Sequence, residues 1–232
     1  MKAYKLNRLK RISWNFIDRS RLEAYDETNC ISIAREFPER GVDPMNPISA
    51  GPGCTITTLS SREVYRNHWM RVREDEILRS NCERGIYGVV EKHDAAIILP
   101  IDKGRVWLVE QFRYTIQERA LELPQGGWEM EVENPEDLAR GELKEETGLE
   151  AAEMTCLGSL WIAYGYARQK QHVFLATGLT ETERTPDAEE HDLVVRSVPV
   201  EWFEEMMRTG AIRDGSTLAA WGLYQLWKEK LG

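Results

Sequence analysis

The chain has 232 residues, 42% of them hydrophobic and 30% charged, and carries a net charge of −9. That length allows one domain with an appendage or two small ones. Its apolar runs fall short of the roughly 20 residues that span a membrane, and the longest, 95–101, is interrupted by Pro100. The acidic balance argues against non-specific nucleic-acid binding, which needs a basic surface to displace counterions.

Charge is unevenly spread. The first 22 residues hold seven Lys or Arg and a single acid, Asp18, which leaves the rest of the chain at −15. So acidic a body can hold phosphates only locally, through a metal ion or a placed arginine. The early charges leave no room for the apolar core of a secretion signal. Cys30, Cys54, Cys82 and Cys156 lie far apart, with no C-x-x-C pair. Reduced thiols and a cytoplasmic location are expected, with a disulfide pair as the alternative.

In chain order, residues 1–54 carry few signals: 6–16 is weakly helical, and 36–53, rich in Pro and Gly with no clean period, reads as loop or linker. The basic start reads as a solvated terminus rather than an arm for a membrane surface. β-prone pieces follow at 55–59, 64–72 and 85–90, so 55–92 is expected to form a small N-terminal β-subdomain. Residues 95–101 read as a buried strand, Asp102-Lys103-Gly104 as a turn, and 105–112 as the returning strand. Residues 121–123 lead into the turn Pro124-Gln125-Gly126-Gly127. Further strands are expected at 154–163, 172–176 and 193–198, and helices at 201–207 and 216–230. The fold class of 93–232 is α/β (α+β), a mixed sheet with helices after the strands.

Chemistry concentrates in 126–150, GGWEMEVENPEDLARGELKEETGLE. Its second half is a marked helix. Asn134 suits the N-cap, Pro135 the first helical position, and Gly148 the stop. Glu142, Glu145 and Glu146 fall at i, i+3 and i+4, on one helical face. Such a face can simply be solvated. However, like charges at this spacing destabilise a helix slightly, and Lys144 points elsewhere. A hard divalent cation that prefers oxygen ligands would supply the missing attraction.

The stretch resembles the Nudix hydrolases, whose signature is G-x5-E-x7-R-E-U-x-E-E-x-G-U, with U a bulky aliphatic residue. Here Gly127 and Glu133 lead at the same spacing to Gly141-Glu142-Leu143-Lys144-Glu145-Glu146-Thr147-Gly148-Leu149. Every defined position matches except Gly141, where the signature has Arg. The resemblance implies a Nudix-type mixed sheet sandwiched by helices. It also implies Mg²⁺ or Mn²⁺ held by Glu142, Glu145 and Glu146, and a metal-activated water that hydrolyses a diphosphate linkage. The carbonyl of Gly126 is an implied extra ligand. In the family the missing arginine holds a box glutamate, so its absence implies either a dead site or a rescue, by a substitute from elsewhere or by the metal alone. Arg140 is turned by about 100° and should point off that face.

The likeness extends over about 60–230. Residues 63–124 are similar to the start of the ADP-ribose and nucleotide-sugar pyrophosphatase branch, which implies a leading sheet that pairs in a homodimer. In Glu110-Gln111-Phe112-Arg113-Tyr114, the resemblance makes Arg113 the substrate-phosphate clamp, a role that its fork of donors suits. The alternative is an edge-strand charge paired with solvent or Glu110. Tyr164, Tyr166 and Trp128 are candidates to stack on a base, or are ordinary core aromatics; Trp161 shares that ambiguity. Glu189 and Glu190 are candidates for the loop glutamate that deprotonates the water, or belong to a polar surface loop. His172 and His191 read as structural or surface residues. The implied substrate is a nucleoside diphosphate derivative, ADP-ribose or a nucleotide sugar first. A dinucleoside polyphosphate is the alternative, and a non-catalytic ligand sensor is the rival from another class.

Overall fold

A computed structural model describes residues 56–127, 134–184 and 192–230. The elements are β1 (Ile56–Arg66), β2 (Arg71–Arg79), β3 (Arg84–Glu91), β4 (Ala95–Asp102), β5 (Arg105–Arg113), β6 (Glu118–Glu122), β7 (Gln125–Gly127), α1 (Pro135–Thr147), β8 (Leu149–Trp161), β9 (Ala167–Arg168), β10 (Lys170–Glu181), β11 (Val194–Pro199), α2 (Val200–Arg208) and α3 (Gly215–Glu229). They form a mixed α+β fold with two mixed sheets. One has four strands in the order β1-β2-β3-β9; the other runs β11-β5-β4-β10-β8, with β6 on β5 and β7 on β4.

The second sheet is organised around β4, which reads as a continuous apolar run because both of its faces are covered. Ala96 and Ile98 pack with Leu138, Ala139 and Leu143 of α1. Ile97 and Leu99 face the other way, against Phe203 of α2 and Ala220 and Trp221 of α3. β10 runs parallel to β4 and alternates in step: Phe174 and Ala176 face α1, Val173 and Leu175 face α2 and α3. The sheet is thus sandwiched by helices, as the resemblance implies. Phe203 and Trp221 meet edge to face at 5.0 Å, the geometry that their ring quadrupoles favour.

The helix α1 follows its local signals. Asn134 accepts the Glu136 amide at 3.1 Å, Pro135 begins the first turn, and Gly148 ends the helix at φ +69° with its N–H on the Lys144 carbonyl. A Cβ at Gly148 would also lie 3.0 Å from the Thr182 carbonyl, so glycine is required there on two counts.

The first sheet departs from expectation. The strand expected over 64–72 is broken, because Asn67 Oδ1 accepts the amides of Trp69 and Met70 at 3.0 and 2.9 Å. That Asx turn reverses the chain. β2, largely charged, was not expected as a strand over 73–79. Its charges pair across the sheet instead, with Arg62 on Glu74 at 2.7 Å and Arg73 on Glu91 at 3.2 Å, so polarity does not oppose pairing here. β9 supplies the fourth strand, parallel to β3. It is reinforced by Tyr87 Oη donating to the Gly165 carbonyl at 2.7 Å and the Val90 amide to the Tyr166 carbonyl at 2.8 Å. Among the described residues, no helix is long and apolar enough to cross a membrane. Cys82 is a free, exposed thiol.

Glu110 on β5 accepts from Arg119 at 2.8 Å and also from Arg196. These two bonds hold its carboxyl below the usual carboxylate range, against a small opposing effect of burial. A depressed carboxylate contributes stability above its unfolded pKa and loses it as pH falls through the folded one. Glu110→Gln is therefore expected to melt earlier than wild type at neutral pH, with the gap closing in acid. Thermal melts across a pH series check this; a gap that is constant with pH would remove the charge from the explanation.

Candidate active site

The site is built where α1 crosses the short strand β7. Glu146, in the last turn of α1, is fully buried and accepts the Gln125 amide at 2.9 Å. A carboxylate at the negative end of a helix dipole needs such a donor. One turn earlier, the Glu142 carboxylate lies over Gly126, where a Cβ would come within 2.1 Å of Oε2. Glu145 is half-buried on the same face. Thus Gly126 and two of the three glutamates are brought together.

The ladder assigns the main-chain groups of β7. The Ile98 amide donates to the Pro124 carbonyl, and Ala96 pairs with Gly126. Alternation then turns Gly126's own amide and carbonyl toward β4, and those of Gln125 away from it, toward Glu146.

Arg113 ends β5. Its Nε donates to Glu122 Oε1 at 2.8 Å, and its two Nη nitrogens bond to none of the described residues. The alternative partner Glu110 is ruled out: it pairs with Arg119 and Arg196. The reason is strand geometry, since residues three apart on a strand point to opposite faces. Burial works against the Arg113 charge, but bonded Glu122 and the fields of Glu146 and Asp214 outweigh it and raise its pKa. Burial also pushes the Glu122 carboxyl up; Arg113 opposes this, and Asp214 adds to it.

Glu122 and Asp214 were not singled out from the sequence, nor was Gln125 for its side chain. The one local signal was Asp214 just before Gly215-Ser216-Thr217, an N-cap pattern; Asp214 accepts the Thr217 amide at 2.8 Å.

The remaining candidates lie apart from this cluster or outside the described residues. Tyr164 and Tyr166 are 83% and 61% exposed, so the core-aromatic alternative does not hold for them. They sit in the segment between β8 and β9; just past β9, Gln169 Nε2 lies 3.7 Å from a Cβ position at Gly127. Trp161 is half-exposed, with Lys170 Nζ 5.2 Å from its ring centroid. His172 is buried, with Nε2 3.3 Å from Asp94, in keeping with a structural role. Glu133, Trp128, Glu189, Glu190 and His191 lie outside the described residues.

Among the described residues, no three acidic, His or Cys side chains close into a ready-made cation site. The donor chemistry still fits a hard cation. Glu142, Glu145 and Glu146 offer oxygens alone, and the Gly126 cradle, which a Cβ would fill, keeps main chain beside a carboxylate. Gly126→Ala is expected to displace the Glu142 carboxylate. Because a flexible side chain can swing away, stability should change little while turnover falls about tenfold or more. Paired melting and rate measurements test this; undiminished turnover would remove Glu142 from the site.

Gly141 is exposed, with nothing within 4 Å of a Cβ built on it. Arg140 bonds Glu136 and the Ala151 carbonyl, off the glutamate face as expected. Gly141→Arg is therefore expected to gain about 1 kcal/mol, or roughly 2–4 °C in Tm, with activity equal or higher. A normally folded variant that loses over about tenfold in rate would mean that the space beside the glutamates is used.

Comparison with known proteins places the chain in a family. Residues 91–220 match the NUDIX domain, and residues 56–90 match the nucleoside diphosphate sugar hydrolase N-terminal domain. The chain belongs to the NUDIX family. It is similar to the ADP-ribose pyrophosphatase of Mycobacterium tuberculosis, 32% identical over 70% of this chain and 79% of that protein. The ADP-ribose pyrophosphatase of Bacillus subtilis is 28% identical over 75% and 94%. A GDP-mannose pyrophosphatase of Escherichia coli is 30% identical over 63% and 78%. Among solved structures, an ADP compounds hydrolase shares the fold, with a TM-score of 0.68 at 22% identity over 77% of this chain and 97% of that one.

Proposed function

We propose that the chain is a Nudix pyrophosphohydrolase that cleaves the diphosphate linkage of a nucleoside diphosphate derivative, ADP-ribose or a nucleotide sugar first. The products are a nucleoside monophosphate and a phosphorylated remainder. The observation that carries this is the gathering of Glu142 and Glu146 on the Gln125–Gly126 strand, with the outward Nη groups of Arg113 anchored through Glu122. The names of the relatives support the substrate class.

Glu142, Glu145 and Glu146 would hold Mg²⁺ or Mn²⁺, which when bound neutralises diphosphate oxygens and acidifies water. The implied main-chain ligand was Gly126; the ladder favours the neighbouring Gln125 carbonyl. Glu146 is held in one posture by the Gln125 amide, and Arg113 takes a substrate phosphate through its two Nη donors. Glu189 or Glu190 serves as base toward the attacking water, and Tyr164, Tyr166 and Trp128 stack on the nucleobase. The exposure of both tyrosines keeps a dinucleoside polyphosphate as the second substrate to test. The apolar side chains exposed on the first sheet, among them Leu59, Val64 and Ile86, suit a homodimer. A cytoplasmic setting fits small nucleotide substrates.

The test is a hydrolysis screen over ADP-ribose, nucleotide sugars, NADH, dinucleoside polyphosphates and coenzyme A, with Mg²⁺ or Mn²⁺ and with chelator. Metal-dependent release of a nucleoside monophosphate is expected. Binding without turnover would support the sensor reading instead.

A further inference from the structure

We infer that Gln125 and Asp214 are positioning residues for the Arg113 clamp, joined to it through buried Glu122 and tying it to the start of α3. The inference rests on the clamp reading of Arg113 given above. Its basis is a continuous run of bonds. Arg113 Nε donates to Glu122 Oε1 at 2.8 Å, and Gln125 Nε2 donates to Glu122 Oε2 at 2.8 Å. The same Nε2 donates to Asp214 Oδ2 at 3.2 Å, and Gln125 Oε1 accepts from Gln171 Nε2 at 2.7 Å. Asp214 Oδ2 also takes the Thr217 amide and hydroxyl at 2.8 and 2.7 Å, and the Leu123 amide donates to Thr217 Oγ1 at 2.9 Å.

Two features make this more than a buried polar patch. First, the orientation of the Gln125 amide is fixed by chemistry. Its nitrogen must face two carboxylates, so its oxygen must face Gln171. Glu122, with only 3% exposure, then has both oxygens engaged and a single posture. A guanidinium bonded to it through Nε has its plane set, and both Nη groups are left to receive a phosphate. Second, successive residues on a strand face opposite ways. The Gly126 Cβ position faces Glu142, so the Gln125 side chain serves the other side. One three-residue strand thus holds Glu146 through its main chain and orients the arginine through its side chain.

The role is positioning: neither Gln125 nor Asp214 need touch substrate. Two variants separate it from general stability. Gln125→Leu keeps most of the volume and removes the amide. Asp214→Ser keeps an oxygen to cap α3 and is too short to reach Gln125. The direct readout is the ¹⁵N–¹H signal of the Arg113 Nε–H, assigned by its loss in Arg113→Lys and exchange-protected in the wild type. Both variants are expected to lose that protection. Both should raise KM roughly tenfold for ADP-ribose, or for the best substrate of the screen, and in Asp214→Ser kcat should stay within about twofold. Asp214→Ser should also keep a Tm near that of wild type.

An Arg113 signal that stays protected in both variants overturns the relay and leaves the clamp reading untouched. Protection that is lost with KM unchanged overturns the link between relay and substrate binding. An unchanged kcat/KM in Arg113→Lys would then identify the clamp as the part that failed.

Discussion

Glu146→Gln is expected to lower kcat/KM by about a hundredfold or more, some 2.7 kcal/mol of barrier, while the protein still folds. The fold should survive because the substituted amide keeps a carbonyl oxygen for the Gln125 amide, the bond that Glu146 makes now at 2.9 Å. What is lost is charge, at a buried position on the face shared with Glu142 and Glu145. A divalent ion held by carboxylates would bind more weakly, so added Mn²⁺ should restore part of the rate. Rates at increasing metal concentration, alongside thermal melts, check both halves. Near-normal turnover in the variant, or full wild-type activity in excess chelator, would sink the assignment of these glutamates to a metal.

Arg113→Lys is expected to weaken transition-state binding by roughly 1–3 kcal/mol, or up to about a hundredfold in kcat/KM. Lysine retains the charge and loses the fork. It would have to choose between Glu122 and a phosphate, whereas Arg113 bonds Glu122 through Nε and keeps two nitrogens in hand. Choosing the phosphate leaves Glu122 buried beside Asp214 without a bonded cation, a poor state for a carboxyl whose burial already disfavours its charge. The variant should therefore also lose some stability. Kinetics for the wild type and variant decide it, and equal kcat/KM values would return Arg113 to a purely structural role.

What could be read from the sequence was what local chemistry encodes. α1 was legible from end to end, because Asn134, Pro135 and Gly148 are the residues that start and stop a helix. The acidic face was legible because helical period alone puts Glu142, Glu145 and Glu146 together. β4 was legible because burial on both faces leaves apolar residues at successive positions rather than at alternate ones. β2 was hidden, since most of its charged residues find their partners on the neighbouring strands. The turn at Asn67 was in plain sight as an Asx signal inside a β-prone stretch, and was outweighed by the valines and aromatics around it. The support beneath Arg113 was not legible. Gln125 and Asp214 are 89 residues apart, and nothing local to either one announces the other. Strand period could have excluded Glu110 as the partner of Arg113, but it could not have nominated Glu122, which lies on the next strand.

The two-residue strand β9 has a consequence for anyone who would exchange parts between members of this family. The natural cut for a graft is the leading sheet, residues 56–91, yet its last strand is edged by Ala167–Arg168 and its Tyr87 hydroxyl is spent on the Gly165 carbonyl. A foreign leading sheet without a hydroxyl at position 87 would keep only the main-chain bonds to this segment, and the tyrosines at 164 and 166 would be carried on a segment that has lost one of its moorings. The transplantable module is therefore discontinuous: 56–91 together with 162–168. On the stacking role proposed above for Tyr164 and Tyr166, chimeras that move both pieces should retain the recipient's turnover rate and acquire the donor's base preference, whereas chimeras that move the first alone should blur that preference.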